Sequence, residues 1–344
     1  MRTITSLGKG RAIRREWDSD PEIFSGWRTR PIWLQALEGR KKRVNLAGLG
    51  DVGMNTALGL ILTGSGLVDS IGLYDLNADQ CARLEAEFSQ IMPPPGQQSL
   101  PAVRVLRQEE LFDCDIFLFC ATRSIPAVGS GVKDVRMAQY EANRRILAFY
   151  AQEAAKTAYK GLFVVVSDPV DLLCMEALRT SRKMFGNGRP LTTDQIIGCG
   201  LGVMHARASY FAARHPEWSL YLTEGRAFGP HGEDLVIANS LDPAHYQDEL
   251  SKALTGRTSH ANMEIRALGY KPYLAPAMSS AVLTVLAMIR GEWNYSAAYL
   301  NGLYFGALNR QTPDGIEWEK DALPDELYAR LENAYRHLEE ILWD

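Results

Sequence analysis

The sequence has no excess of positive charge. Its formal net charge is −4, whereas general nucleic-acid binders show a strong basic surplus, so that class is excluded. Long apolar runs are missing too. None approaches the roughly 20 residues that cross a bilayer, and no membrane partner is expected. The basic start, with Arg2, Lys9, Arg11, Arg14 and Arg15, is followed by no apolar stretch and does not read as a secretory signal. Cysteine is sparse: Cys81, Cys114, Cys120, Cys174 and Cys199 form no CxxC pair. Neither a disulfide framework nor a zinc site is expected from them, and a reducing, cytoplasmic location is. Internal repeats and low-complexity segments are also absent.

What remains is a chain of 344 residues with the apolar and charged content of a globular protein, long enough for two domains. Residues 1–40 lack periodicity and carry Trp17, Trp27 and Trp33 among arginines and prolines. They read as an N-terminal extension that packs on the body or on a neighbouring subunit. From residue 41, short apolar runs alternate with amphipathic helices, the pattern of parallel α/β structure. Strands are expected at "VNLAGLG", "SIGLYDL", "PAVRVL", "CDIFLFCA", "LFVVVS" and "QIIGCG", with helices over 52–64, 78–92 and 137–158. This predicts a Rossmann-type doubly wound parallel sheet over 41–195. After about residue 215 the pattern turns mixed, with a strand pair near 219–240, helices at 244–268 and 275–290, strands within 294–318 and a final helix at 324–342. Residues 196–344 therefore read as a mixed α/β substrate domain.

"GLGDVG" sets Gly48, Gly50 and Gly53 in a G-x-G-x-x-G pattern that follows a strand and opens a helix. Gly48 permits the tight turn, Gly50 lets the backbone approach a pyrophosphate, and Gly53 allows close helix–strand packing. Asp51 and Val52 begin the helix, whose N-terminus supplies N–H donors and a positive dipole end. Asp75 stands at the end of the second strand, at the spacing where a carboxylate binds the adenosine ribose hydroxyls and repels a 2′-phosphate. These residues form the expected NAD site.

Together with this motif, segments 43–75, 115–171 and 195–234 resemble the lactate/malate dehydrogenase family. The resemblance implies hydride transfer between NAD and a 2-hydroxy acid, in a homodimer or homotetramer acting on a small carboxylate substrate. "GPHGEDLVIANS" resembles the family's histidine motif, which implies His231 as the general acid/base, a role suited to an imidazole. "VRMAQYEANRRI" resembles the helix after the mobile lid, and the count back from Asn143 implies Arg136 as the carbonyl-polarising arginine. Arg123, in "CATR", matches a second substrate arginine at the near end of that loop. "GCGLGVMHAR" resembles the motif whose arginine grips the substrate carboxylate, implying Arg207. "GRTSHANM" resembles the helix with a threonine near nicotinamide and substrate, implying Thr258, with His260 either lining the pocket or on the helix surface.

Two positions depart from the family. In "SDPVD" an asparagine has become Asp168, and in "VMHAR" the aspartate that orients the catalytic histidine has become Met204. His205, one residue on, is expected about 100° around the helix, facing elsewhere as a packing or surface residue. A thioether accepts no strong hydrogen bond from an imidazole. Either Asp168 brings the carboxylate in from another strand end, or ordinary catalysis is lost and the chain is an NAD-binding protein acting through oligomerisation or a partner. With Asp168 in the site, plain lactate or malate is not the expected substrate. The metal-dependent redox chemistry of the distantly related family 4 glycosidases needs an adjacent cysteine and histidine, which Cys199 and His205 do not provide. No metal is expected.

Overall fold

The computed structural model describes residues 2–9, 39–123, 135–183 and 188–343. Nine strands form one twisted sheet in the order β11-β10-β9-β6-β5-β4-β1-β2-β3. The Rossmann half contributes β1 (Lys42–Ala47), β2 (Val68–Tyr74), β3 (Ala102–Val105), β4 (Ile116–Phe119), β5 (Leu162–Val165) and β6 (Ile196–Gly198), all pairing in parallel. β4 and β5, "IFLF" and "LFVV", are buried at every residue. Strands covered by helices on both faces need such unbroken apolar runs.

Helix α1 (Asp51–Thr63) follows β1, α2 (Ala78–Ser89) follows β2, α3 (Val135–Lys156) follows β4, and α4 (Val170–Lys183) follows β5. The Asn77 side chain accepts the Gln80 backbone N–H and so caps α2. Helix α5 (Leu201–Ala212) leaves β6 through a glycine N-cap, Gly200.

The expected boundary at 195/196 coincides with the start of β6, which lies inside the sheet. β9 (Asn294–Leu300), β10 (Leu303–Thr312) and β11 (Gly315–Trp318) extend the sheet in antiparallel fashion beyond β6. The expected pair near 219–240 is a separate ribbon of β7 (Arg226–Phe228) and β8 (Val236–Ala238). The single helix expected over 244–268 is two, α6 (Asp248–Ser259) and α7 (Ala261–Ala267). His260 breaks it at φ −95°, ψ 1°, with its Nδ1 2.8 Å from the Gly256 carbonyl. The helix expected at 275–290 opens as a π-helical turn, Pro276–Val282, before α8 (Leu283–Arg290). The chain closes with α9 (Asp325–Trp343).

The main core fills both faces of the sheet, and a second cluster around α5 joins Leu201, Met204, Phe211, Tyr221 and Leu254. The start of the chain packs on this body: Ile4 and Leu7 are buried, and Asn301 donates to the Thr5 and Leu7 carbonyls at 3.1 and 2.7 Å. Trp17, Trp27 and Trp33 lie outside the described residues, as does the lid loop 124–134. All five cysteines are buried free thiols. Burial pushes Cys120 up to about 12, which rules it out as a thiolate nucleophile. No described helix is long and apolar enough to cross a membrane.

Candidate active site

The parallel order 3-2-1-4-5-6 reverses between β1 and β4, and in such sheets ligands bind beyond the strand carboxyl ends at that point. Gly48 follows β1 there with φ +93°, and a Cβ on it would fall 2.4 Å from the Ala121 backbone, the segment leaving β4. At Gly53 a Cβ would lie 1.9 Å from the Gly48 carbonyl oxygen. Packing alone therefore requires these two glycines. Gly50 differs: nothing lies within 4 Å of where its Cβ would be. It is also the N-cap of α1 and offers no side chain to the free N–H groups of the first turn. The result is an open cradle of backbone donors, of the shape and polarity a diphosphate needs. Asp51 and Val52 form its first turn.

Asp75, just beyond β2, accepts the Leu49 N–H at 2.7 Å and the Asn77 N–H at 2.9 Å. Its carboxylate thereby braces the glycine turn from the end of the neighbouring strand.

The acid/base candidate arrives from the ribbon. Gly229, at φ +86°, ends β7 and donates its N–H to the Gly306 carbonyl at 2.9 Å, fixing the ribbon's end on β10. His231 follows and packs on the N-cap of α5, where a Cβ on Gly200 would come within 3.0 Å of the His231 Cβ. From the end of β5, Asp168 reaches across: its Oδ1 lies 2.8 Å from His231 Nδ1. A carboxylate only accepts, so Nδ1 carries the proton in this pair and Nε2 is left for other partners. The imidazole is mostly covered, at 18% side-chain exposure, and Asp168 is more open at 41%.

Asn143 holds this pair in place. Fully buried on α3, it donates to the Asp168 carbonyl at 2.7 Å and accepts the Arg123 N–H at 2.9 Å, bridging the ends of β4 and β5. Along the sequence Asn143 is only the landmark from which Arg136 is counted. Nothing along the sequence points to its bridging role, because both partners are backbone groups.

Arg207 lies on α5 with its Nη1 3.7 Å from the Met204 sulfur, one turn back. Burial lowers its pKa and the facing charge of Asp168 raises it, so guanidinium and carboxylate sense each other across the site. A guanidinium stays charged under either influence. Among the described residues no carboxylate comes within ion-pair distance of it. His205 does face away, as expected: its Nδ1 is 2.9 Å from the Tyr221 hydroxyl and its ring stacks on Tyr295 at 4.4 Å. Burial, aided by Arg226, brings its pKa down to about 4, so the ring is neutral at physiological pH.

Thr258 is fully buried on α6, which packs on α5, and its hydroxyl has no hydrogen-bond partner among the described residues. His260 is exposed. Arg123 extends from the β4 end with its side chain exposed. Arg136 falls in the first turn of α3, and its side chain is outside the described residues. Among the described residues no cluster of histidines, cysteines and carboxylates is arranged to hold a metal.

With this geometry in view, comparison with known proteins places the first half of the molecule. The model of the lactate/malate dehydrogenase NAD binding domain matches residues 42–186. These residues thus carry a domain of the lactate/malate dehydrogenase NAD-binding type. Its cofactor is NAD. The L-lactate dehydrogenase of Clostridium perfringens is 23% identical to this chain over 292 residues, 77% of this chain and 86% of the relative. The solved structure of a minor L-lactate dehydrogenase from Enterococcus mundtii superposes with a TM-score of 0.70 at 20% identity, covering 88% of this chain and 98% of that one. Malate dehydrogenase from Archaeoglobus fulgidus in complex with NADH gives a TM-score of 0.67 at 20% identity, over 87% of this chain and 98% of its own. At these identities the structural likeness establishes the shared fold, which extends into the half beyond the matched domain.

Proposed function

We propose that the protein is an NAD-dependent oxidoreductase that interconverts a 2-hydroxy acid and its 2-oxo acid, with a substrate other than plain lactate or malate. The observation that carries this reading is the 2.8 Å contact between His231 Nδ1 and Asp168. A histidine oriented by a carboxylate is a general acid/base, and the usual aspartate position on α5 holds Met204 instead. The carboxylate has moved from α5 to the end of β5.

Gly48, Gly50, Gly53, the first-turn N–H groups of Asp51 and Val52, and Asp75 hold the cofactor, which supplies or accepts the hydride when bound. His231 Nε2 takes the proton from the substrate hydroxyl in oxidation and returns it to the carbonyl oxygen in reduction. Asp168 keeps the Nδ1 proton in place and offsets the imidazolium charge. Arg207 grips the substrate carboxylate through its planar fork. Arg136 polarises the carbonyl and Arg123 completes the substrate side, whereas Thr258, fully buried where α6 packs on α5, has no surface to offer a substrate. Asn143 positions Asp168 and Arg123 without touching substrate.

The charge on Asp168 sets the substrate class. An acceptor-only group beside His231 and facing Arg207 favours a 2-oxo acid that brings its own donor, a hydroxyl or a cationic group, over a bare one. The active unit is a homodimer or homotetramer.

The test is NADH consumption across a panel of 2-oxo acids, including pyruvate, oxaloacetate and analogues bearing hydroxyl or amino groups, with His231→Ala as control. Turnover on a donor-bearing acid that disappears in the control supports the mechanism. Equal turnover with the control, or tight NADH binding with no turnover on any acid, overturns it.

A further inference from the structure

The cradle at α1 has one feature the acid/base mechanism does not use. The first residue of α1 is Asp51, a carboxylate placed where a diphosphate is to bind. Acidic first turns favour a helix dipole, but this one also repels the incoming phosphates. Its Oδ2 lies 3.1 Å from the Nζ of Lys271, a residue far along the chain in the segment after α7.

The segment is built to deliver that lysine. Gly269, at φ +86°, closes α7, with its N–H bonded to the Arg266 carbonyl and the Tyr270 N–H bonded to that of Ile265. Pro272 follows Lys271, and the Tyr273 N–H returns to the Lys271 carbonyl at 3.1 Å. The next turn, Pro276–Val282, lies against α1 so closely that a Cβ on Gly59 would meet Val282 at 2.6 Å. The lysine backbone is thus held beside α1 by packing, while its side chain is 76% exposed and free to swing.

We propose that Lys271 is a cofactor-binding residue whose ammonium, parked on Asp51 over the first turn of α1, pairs with the NAD diphosphate. An anion bonded to the first-turn N–H groups stands beside Asp51, within the sweep of a four-carbon stem that already reaches that carboxylate. Lys271 cancels the repulsion from Asp51 and adds a charge-assisted contact of its own. It also makes the cofactor site a joint product of both halves of the chain, because the residue comes from beyond the parallel strands. The inference rests on NAD as the cofactor.

The test measures binding rather than turnover. NADH, ADP-ribose and adenosine are titrated by calorimetry or fluorescence against the wild-type protein, Lys271→Arg, Lys271→Met and Lys271→Glu. For NADH and ADP-ribose the dissociation constant rises about three- to tenfold in the Met variant, further in the Glu variant, and little in the Arg variant. The loss shrinks at high salt, where exposed charges are screened. Adenosine, which has no phosphate, binds all four proteins alike. Unchanged NADH binding in Lys271→Met, or an equal loss for adenosine, overturns the proposal. Wild-type protein that binds neither NADH nor ADP-ribose overturns the cofactor assignment and this proposal with it. Thermal melting of the variants, expected to match wild type for so exposed a side chain, separates either result from misfolding.

Discussion

Replacing Asp168 by asparagine isolates the charge in the proposed dyad. The two side chains have nearly the same size, and an asparagine Oδ1 still accepts the His231 Nδ1–H now directed at Asp168 across 2.8 Å. Orientation therefore survives and only the negative charge disappears. That charge matters when the imidazole becomes cationic at the top of the barrier. Asp168 is 41% exposed and His231 18%, so solvent screens the pair and an effective dielectric of about 40 to 80 is appropriate. Two unit charges at this contact then interact by about 1.5–3 kcal/mol. Lost from the transition state alone, that is a roughly 10- to 150-fold fall in kcat. The assay is steady-state NAD reduction at saturating 2-hydroxy acid, the direction in which the imidazole gains its charge, with NAD affinity measured separately and expected to be unchanged. A variant that keeps kcat within about twofold of wild type, while His231→Ala is inactive, refutes the idea that Asp168 replaces the missing aspartate of α5.

Arg207→Lys keeps the charge but loses the planar fork, so the KM for the 2-oxo acid rises about ten- to a hundredfold in steady-state kinetics while kcat changes less. Asp75→Ser removes the carboxylate that repels a 2′-phosphate, and the preference for NADH over NADPH, read from the two dissociation constants, falls about tenfold. His205 supplies a pH signature. Its pKa is about 4 in the folded protein against 6.5 for the free side chain, so its contribution is intact above 6.5 and is lost as pH falls towards 4. The loss amounts to at most about 3 kcal/mol. Melting curves of wild type and His205→Asn therefore diverge in slope over this window, and parallel curves would show that His205 carries no such contribution.

The parallel half of the fold was legible because its central strands, β4 to β6, are fully buried apolar runs and its glycine motif sits between a strand and a helix. The second half was less so, for local reasons. His260 splits α6 from α7 while the apolar spacing continues across it, and Pro276 opens a π-helical turn where periodicity suggests an ordinary helix. The joining of β9 to β6 depends on a single paired position, Gly198 with Ala297, that no local pattern reveals. In the site, the paired departures at Asp168 and Met204 pointed to a displaced carboxylate, and Asp168 does stand beside His231. The bridge made by Asn143 was illegible, because its partners are a backbone carbonyl and a backbone N–H brought together only by the fold.

The antiparallel extension of the sheet bears on how the chain is made. β1 to β6 emerge first during synthesis, and β6 then stands as a bare margin until β9, beginning at Asn294, has followed. Roughly 100 residues separate the two, which at ordinary ribosomal rates leaves that margin uncovered for about 5–20 s. A bare strand invites pairing with a neighbouring nascent chain. β6 is only three residues long and ends in Gly198, so it offers such a neighbour very little to hold. The brevity that makes it a weak strand in the finished sheet protects the half-made protein while it waits for its partner.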